Sequence, residues 1–386
     1  MNTWVSLTPL TGSLTIYPVV HVREEREAAR NWPRRLRIGE GTVSPMATQP
    51  PQIELSVTEP LDAAVDETTA LAQYPGLREF RATLGGTPLV EVPGPPGGAK
   101  IMAKYELRNP SGSAKDRPGY SMLCRAINEH TDKEGPLKVV DCSGGNMARA
   151  LTGLSKITGI PVRAVMPDSV PQSLLTHLSE GGCAIDLVPA SEFPLAIMRR
   201  ASEIAADDPS WTLLAQHRNM ANVAAHQFFT GREIVGQLDG AHPAAVVAAV
   251  GSGGMLAGVA RALRGIAPGL SVIGVTPAEL PYGTPEPPNA KPKFAGAGGM
   301  TYGMRQPFVE KLLPEFESAQ VSHPEALRAM YDFWKETGTR IGSSAGASWL
   351  IAREKAKNLG PDDIVVTVFA DSGSKEDWEK AESMGN

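Results

Sequence analysis

From Leu84 onward the chain alternates short β-branched runs with helical stretches, and the joins carry Gly, Pro, Ser or Asn. A helix that carries the chain back to the start of the next strand makes neighbouring strands parallel and covers the sheet on both faces. Val139-Val140, Val162 to Met166, Ile185 to Val188, Ala245 to Val250, Val272 to Thr276 and Ile364 to Ala370 read as strands. Helices are expected over Ala196 to Ala206, Ala221 to Leu238, the stretch ending at Arg264, and about 324–337 and 344–358. A chain of 386 residues with 42% hydrophobic composition is long enough for two such units. The expected organisation is an N-terminal extension over 1–75, partly flexible, then an N-terminal α/β domain over 76–220 and a C-terminal α/β domain over 221–386. Ligands of such sheets gather at the carboxyl ends of strands, so the strand-to-helix loops are the places to look for chemistry.

Charge and cysteine usage narrow the partners. A formal net charge of -5, with neither sign concentrated in a long run, argues against nucleic acid and anionic membrane surfaces and for small-molecule partners. Cys124, Cys142 and Cys183 are odd in number and lack metal-like or CxxC spacing, so neither a disulfide framework nor a metal site is expected, and a reducing cytoplasm suits them. No apolar run approaches the roughly 18 residues of a spanning helix, and no basic region followed by an apolar core opens the chain.

Four glycine- and serine-rich turns feed helices. Asn109-Pro110-Ser111-Gly112-Ser113-Ala114-Lys115-Asp116-Arg117 puts Lys115 near a helix N-terminus, where the helix dipole disfavours a cation and raises the share of neutral amine able to attack a carbonyl. Gly251-Ser252-Gly253-Gly254-Met255 follows a strand and opens a helix, so its backbone N–H groups converge on an anion such as a phosphate. It is no P-loop, and Leu256 replaces the third glycine of a dinucleotide fingerprint. Ser143-Gly144-Gly145-Asn146 offers exposed amides and one bifunctional side chain, and Ser344 in the loop from Ile341 to Ala347 is a partner for a ring nitrogen. Taken singly, Asn146 and Ser344 serve equally well as helix caps. Together with a helix-start lysine, the loops form a combination that capping explains less well.

These residues resemble the fold type II pyridoxal-phosphate enzymes, and within them the cysteine synthase and cystathionine β-synthase branch. The resemblance spans about residues 80–375 and rests on Leu84-Gly85-Gly86-Thr87-Pro88, the lysine segment, the Asn146 loop, the glycine cup and the stretch from Gln216 to Ile234. Ser344-Ala345-Gly346 and Asp371-Ser372-Gly373 complete it. It implies two α/β domains with mostly parallel sheets and pyridoxal 5'-phosphate in the cleft between them. Lys115 would form the internal aldimine and later remove the α-proton. Asn146 would bond the cofactor's 3′-oxygen; Gly251, Ser252, Gly253 and Gly254, with Met255, would hold its phosphate; and Ser344 would face its pyridine nitrogen. Ser143, Gly144, Gly145, Met147 and Gln216 would line the substrate side.

The implied reaction is β-replacement on O-acetylserine or O-phosphoserine through an aminoacrylate, giving cysteine or a related β-substituted alanine, with a small nucleophile as second substrate. β-Elimination of the ammonia-lyase or desulfhydrase type is the alternative. A homodimer is implied as well. Three departures concern specificity. Ser143 to Met147 stands where cysteine synthases commonly read Thr-Ser-Gly-Asn-Thr, so two hydroxyls are missing; Arg149 brings a charge near that loop; and the segment 295–307 adds Tyr302, Met304 and Arg305.

Overall fold

Ten strands, among the residues described, form two sheets in a computed structural model that describes residues 57–59, 61–131, 135–143, 145–284, 300–301 and 303–385. Gly144, Tyr302 and residues 295–299, all expected on the substrate side, lie outside the described residues. The strands are β1 (Leu89–Val92), β2 (Lys100–Tyr105), β3 (Lys138–Cys142), β4 (Val162–Pro167), β5 (Ala184–Val188), β6 (Trp211–Leu213), β7 (Ala245–Ala249), β8 (Ser271–Pro277), β9 (Glu317–Val321) and β10 (Ile364–Phe369). The larger sheet runs β1-β2-β10-β7-β8-β9 and the smaller β5-β4-β3-β6. Every pairing is parallel except β1 with β2, as the strand–helix alternation requires.

The strand pairings do not divide along the chain at residue 220. β1 and β2, which the expected partition placed with residues 76–220, join the sheet built from β7 to β10, with Lys100 to Tyr105 in register with Ile364 to Phe369. From Val57 on, the expected extension is held to the body: Met220 N donates to Thr58 Oγ1 at 2.9 Å, and Ala70, in the helix Thr68–Gln73, is fully buried.

The long helix expected over Ala221 to Leu238 is three segments, a helix Met220–Ala225, a π-helical turn His226–Gly231 and a helix Arg232–Gln237. Inside the wide turn, His226 Nδ1 and Thr230 Oγ1 lie 3.0 Å apart. Gly231 is needed there because a Cβ would come within 2.5 Å of Ala262 on the adjacent helix Gly254–Arg264. Such insertions re-aim the residues that follow them, and here the re-aimed residue is Glu233.

Glu233 enters a buried ion cluster under the lysine segment. Arg117 forks onto Glu106, with Nε and Nη2 each 2.7 Å from its two oxygens, and onto Glu233, with Nη1 at 2.7 Å and Nη2 at 2.8 Å. Lys104, on β2 and fully buried, reaches Glu233 and Gln237, each at 2.8 Å, and also donates to Thr87 O. Two cations and two carboxylates leave the cluster neutral, which is what makes its burial tolerable. Burial opposes the charge on Glu233, but Arg117 and Lys104 outweigh it and hold the carboxyl down to about 2. Removing Arg117 leaves Glu106 buried and uncompensated. Arg117→Met should cost about 3–5 kcal/mol in urea unfolding, and adding Glu106→Gln should recover part of that loss; equal stability of the single variant and the parent would contradict the cluster's role.

Candidate active site

Hydrogen bonds tie together the loops that leave β3, β6, β7 and β10. Gln216 Nε2 donates to Cys142 O at 2.6 Å, Asn222 Nδ2 to Gln216 O at 2.8 Å and to Ser252 Oγ at 3.1 Å, and Asn146 Nδ2 to Asp371 Oδ2 at 2.6 Å. The residues singled out in four separate stretches of sequence thus meet at one place.

Lys115 is the residue on which the helix Asp116–Glu129 starts. Its turn is locally closed: Ser111 N and Oγ donate to the Asp116 carboxylate at 2.7 and 2.5 Å, Lys115 N donates to Ser113 Oγ at 3.2 Å, and Gly112 takes φ 81°, a left-handed conformation open to glycine. Ser113 bridges to Asp371 and Ala114 N donates to Ala370 O at 2.8 Å, which fastens the turn to the end of β10. Burial pushes the Lys115 ammonium below its ordinary value, and the Asp371 carboxylate pulls in the other direction. The shift has the expected direction, and burial is its cause.

Asn146 opens the helix Asn146–Thr158, yet its side chain caps nothing and is spent on Asp371. The loop is held instead by Ser143, whose Oγ accepts from Gly145 N at 3.1 Å and from Ala148 N at 3.2 Å. An amide nitrogen carries two hydrogens, so Asn146 keeps one to give. In the glycine cup, Gly253 has φ 81°, and a Cβ at Gly254 would stand 2.5 Å from Asn222 Oδ1. Ser252 Oγ accepts from Gly254 N at 3.3 Å, and Met255 is partly buried against the core. Ser344 lies in the first turn of the helix Ser343–Lys357, preceded by Gly342, where a Cβ would collide with the Asp371 carboxylate.

These groups fit pyridoxal 5'-phosphate. The cup puts backbone amides at the start of the helix Gly254–Arg264, Asn146 has a free amide hydrogen for an anionic ring oxygen, and Lys115 is a buried amine with a lowered pKa.

Several side chains expected near the substrate have partners within the protein. Met147 is 1% exposed and packs in the core cluster with Tyr120 and Leu151, so its bulk does not reach toward Asn146 as a pocket wall would. Gln216 braces the β3 loop through Cys142 O. Arg149 is half-buried, its charge disfavoured by burial and supported by Glu376. Arg305 pairs with Glu310 at 3.0 Å.

Sequence reading passed over three groups that the structure brings in. Asp371 was quoted only as part of a motif, although its carboxylate faces Asn146, Gly373 N and the Lys115 charge; burial raises its pKa, and the nearby Asp377 adds to that rise. His217 follows Gln216, and burial, with the Lys115 and Arg218 charges, lowers its ring to about 4. Asp141, on β3 beneath the Ser143 loop, is pushed up to about 7 by burial, against the pull of Gln216 N–H. Only the position of Asp141 before a glycine-rich loop marked it in the sequence.

The family described as pyridoxal-phosphate dependent enzyme matches residues 81–371. A probable cysteine synthase of Bacillus subtilis is 31% identical over 296 residues, 76% of this chain and 93% of that protein. A cysteine synthase of Aquifex aeolicus is 32% identical over 313 residues, covering 77% and 91%. Among solved structures, an O-acetylserine dependent cystathionine beta-synthase from Helicobacter pylori superposes with a TM-score of 0.68 at 27% identity, covering 76% of this chain and 94% of that one.

Asp141 yields a pH-dependent prediction. Its folded pKa lies above the ordinary carboxyl value, so the folded state favours the protonated form, and stability is lost as pH rises from about 4 through about 7. Asp141→Asn keeps an acceptor for Gln216 N and cannot ionise. The difference in melting temperature, variant minus parent, should become more positive by several degrees between pH 5 and pH 8; a flat difference would count against a buried, protonatable Asp141.

Proposed function

Because the chain belongs to the family of pyridoxal-phosphate dependent enzymes, among relatives of the cysteine synthase and cystathionine β-synthase kind, we propose that it catalyses β-replacement on an O-activated L-serine. The observation that carries this reading is that the lysine turn and Asn146 meet at Asp371 while the glycine cup is tied through Asn222 to the Gln216 loop that braces the Asn146 loop. When bound, the cofactor supplies an electron sink for the bonding electrons at Cα and so allows a leaving group to depart from Cβ.

The protein's own groups divide the remaining work. Lys115 holds the cofactor's carbonyl carbon and then carries the α-proton, for which a lowered pKa at a buried amine is suited. The backbone N–H groups from Gly251 to Gly254 bind the phosphate, with Ser252 and Met255 beside them. Asn146, held by Asp371, orients the ring through its 3′-oxygen. Ser344, in the first turn of its helix, would offer the ring nitrogen a neutral hydroxyl and no carboxylate. The amides of the loop from Ser143 through Gly144 and Gly145, braced by Gln216, receive the substrate carboxylate, and Met147 supports that loop from the core.

O-Acetylserine is the donor best supported, since the Helicobacter pylori neighbour is described as dependent on it. The catalytic division expected between 76–220 and 221–386 places Lys115 and the carboxylate loop on one side of the cleft and the phosphate cup and Ser344 on the other. Residues 1–45 stand outside the chemistry in this reading. A homodimer in the cytoplasm accords with the family resemblance and with three buried, unpaired cysteines.

The purified protein loaded with cofactor should be yellow, should change its visible spectrum on addition of O-acetylserine, and should form cysteine and acetate with sodium sulfide. Lys115→Ala should lower turnover by at least about 10²–10⁴-fold. Pyruvate formed without any nucleophile would establish elimination instead, and no spectral response to O-acetylserine or O-phosphoserine would reject the proposal.

A further inference from the structure

Gly253, in the middle of the glycine cup, presses on the short helix Pro307–Leu312. A Cβ at Gly253 would stand 2.6 Å from Val309 Cγ2, and Phe308 and Val309 are fully buried in the core shared by β7 and the helix Gly254–Arg264 on either side of the cup. A helix of six residues is not stable through its own backbone bonds, and the side chain of its N-cap residue, Gln306, does not cap it. Its position has to be imposed by its neighbours.

Tyr282, in the loop after β8, holds the start of that helix. Its phenol oxygen accepts from Gln306 N at 2.8 Å and donates to Glu310 Oε1 at 2.8 Å, so one atom joins the residue before the helix to its first turn. Arg305 Nη1 takes the other Glu310 oxygen at 3.0 Å. Burial raises the phenol above its ordinary pKa, so the proton it donates stays in place. The ring lies edge-to-face on Phe316 at 5.2 Å, and Gly283 N donates to Gly303 O at 2.7 Å, which holds the tyrosine's own stretch of chain against the same segment. That segment reaches the cup a second time. Gln306 Nε2 donates to Thr301 Oγ1 at 2.8 Å, and Thr301 N donates to the carbonyl of Val250, the residue before Gly251, at 2.5 Å.

We propose that Tyr282 is a positioning residue for the phosphate cup: by holding Gln306 and Glu310 it keeps Val309 against Gly253 and Thr301 on Val250, and so keeps the backbone N–H groups of Gly251 to Gly254 aimed at the cofactor's phosphate. This rests on the reading above in which the cup binds that phosphate. Backbone donors cannot be re-aimed by rotating a side chain, so their direction is set by what packs behind the loop. Replacing the phenol by a phenyl ring leaves Gln306 N and Glu310 without their shared partner, while the contact with Phe316 survives. The loss falls on the phosphate, because the cofactor's ring is held by Lys115, Asn146 and Ser344, which Tyr282 does not brace.

The test titrates the full chain with pyridoxal 5'-phosphate and, separately, with pyridoxal, which has the same ring and no phosphate; binding is read from visible absorbance. In Tyr282→Phe the dissociation constant for pyridoxal 5'-phosphate should rise about fivefold, the worth of one hydrogen-bonded joint, while that for pyridoxal stays within about twofold. The bound phosphate should also move from its parent position in the phosphorus NMR spectrum. The preference for pyridoxal 5'-phosphate over pyridoxal, taken as the ratio of the two constants, separates the cup from a general loss of stability, which would weaken both ligands alike. A preference that falls by less than about threefold, an equal rise in both constants included, would overturn the inference. If Tyr282→Phe fails to fold, Glu310→Ala, which removes the phenol's partner on the helix, is read by the same ratio. A parent that binds neither compound, or both equally, would instead reject the cofactor reading itself.

Discussion

Everything near the lysine hangs on one guanidinium. Arg117 spends four N–H donors on two carboxylates that come from distant parts of the chain, Glu106 after β2 and Glu233 after the π turn, and a further contact at 3.1 Å reaches Thr87 Oγ1. Glu233 also accepts from Gly86 N at 3.1 Å, and the Gly85–Gly86 pair with φ 99° and 62° lets the backbone pass beside it; a Cβ at Gly85 would collide with the Glu233 carboxylate. Four segments are therefore locked by one fork, and Lys115 stands two residues from it. Burying such a group is costly unless every partner is in place. That requirement transmits the position of Glu233 and Glu106 to the start of the lysine helix.

A second joint completes the site. Asp371 at the end of β10 receives Asn146 and Gly373 N through its side chain, while its backbone accepts from Gly342 N at 2.9 Å and pairs with Ser113. The lysine turn, the Asn146 loop and the start of the Ser343–Lys357 helix thereby share one residue. Its carboxylate is buried and faces an amine whose charge burial also disfavours, so each supports the other's ionised form against the same desolvation. Glycine at 342 is a packing requirement of this joint, since any side chain would occupy the place of the carboxylate.

Much of this was legible from sequence, and the misses have physical reasons. The interior strands announce themselves by β-branched runs, so β3, β4, β7, β8 and β10 fall within a residue or two of expectation. β6 has three residues, β9 reads Glu-Ser-Ala-Gln-Val at a sheet edge, and β2 carries two lysines; none shows an apolar signature. Lys104 looks like a surface residue and is buried only because Glu233, 129 positions away, meets it. The loops could be picked out locally because glycine at strand-to-helix turns is a local requirement. That three of them meet at Asp371 is a property of tertiary packing, as are the burial of Met147 in the core and the pairing of Arg305 with Glu310. His217 gave no local signal, for a lone histidine after a strand is unremarkable until its neighbours are known.

The polar groups around the site differ in how far their hydrogen bonds are already used. Polar groups of the site's loops are over-determined: Ser143 is used by its own loop, Ser252 by Asn222 and Gly254, Asn146 by Asp371, and substitution at any of them disturbs a hydrogen bond already made. Such saturation fixes the geometry on which a demanding reaction depends. Two buried atoms nearby, His217 Nδ1 and Asp141 Oδ2, have no hydrogen-bond partner. Saturated groups can change only together, whereas a group with a spare lone pair can change alone.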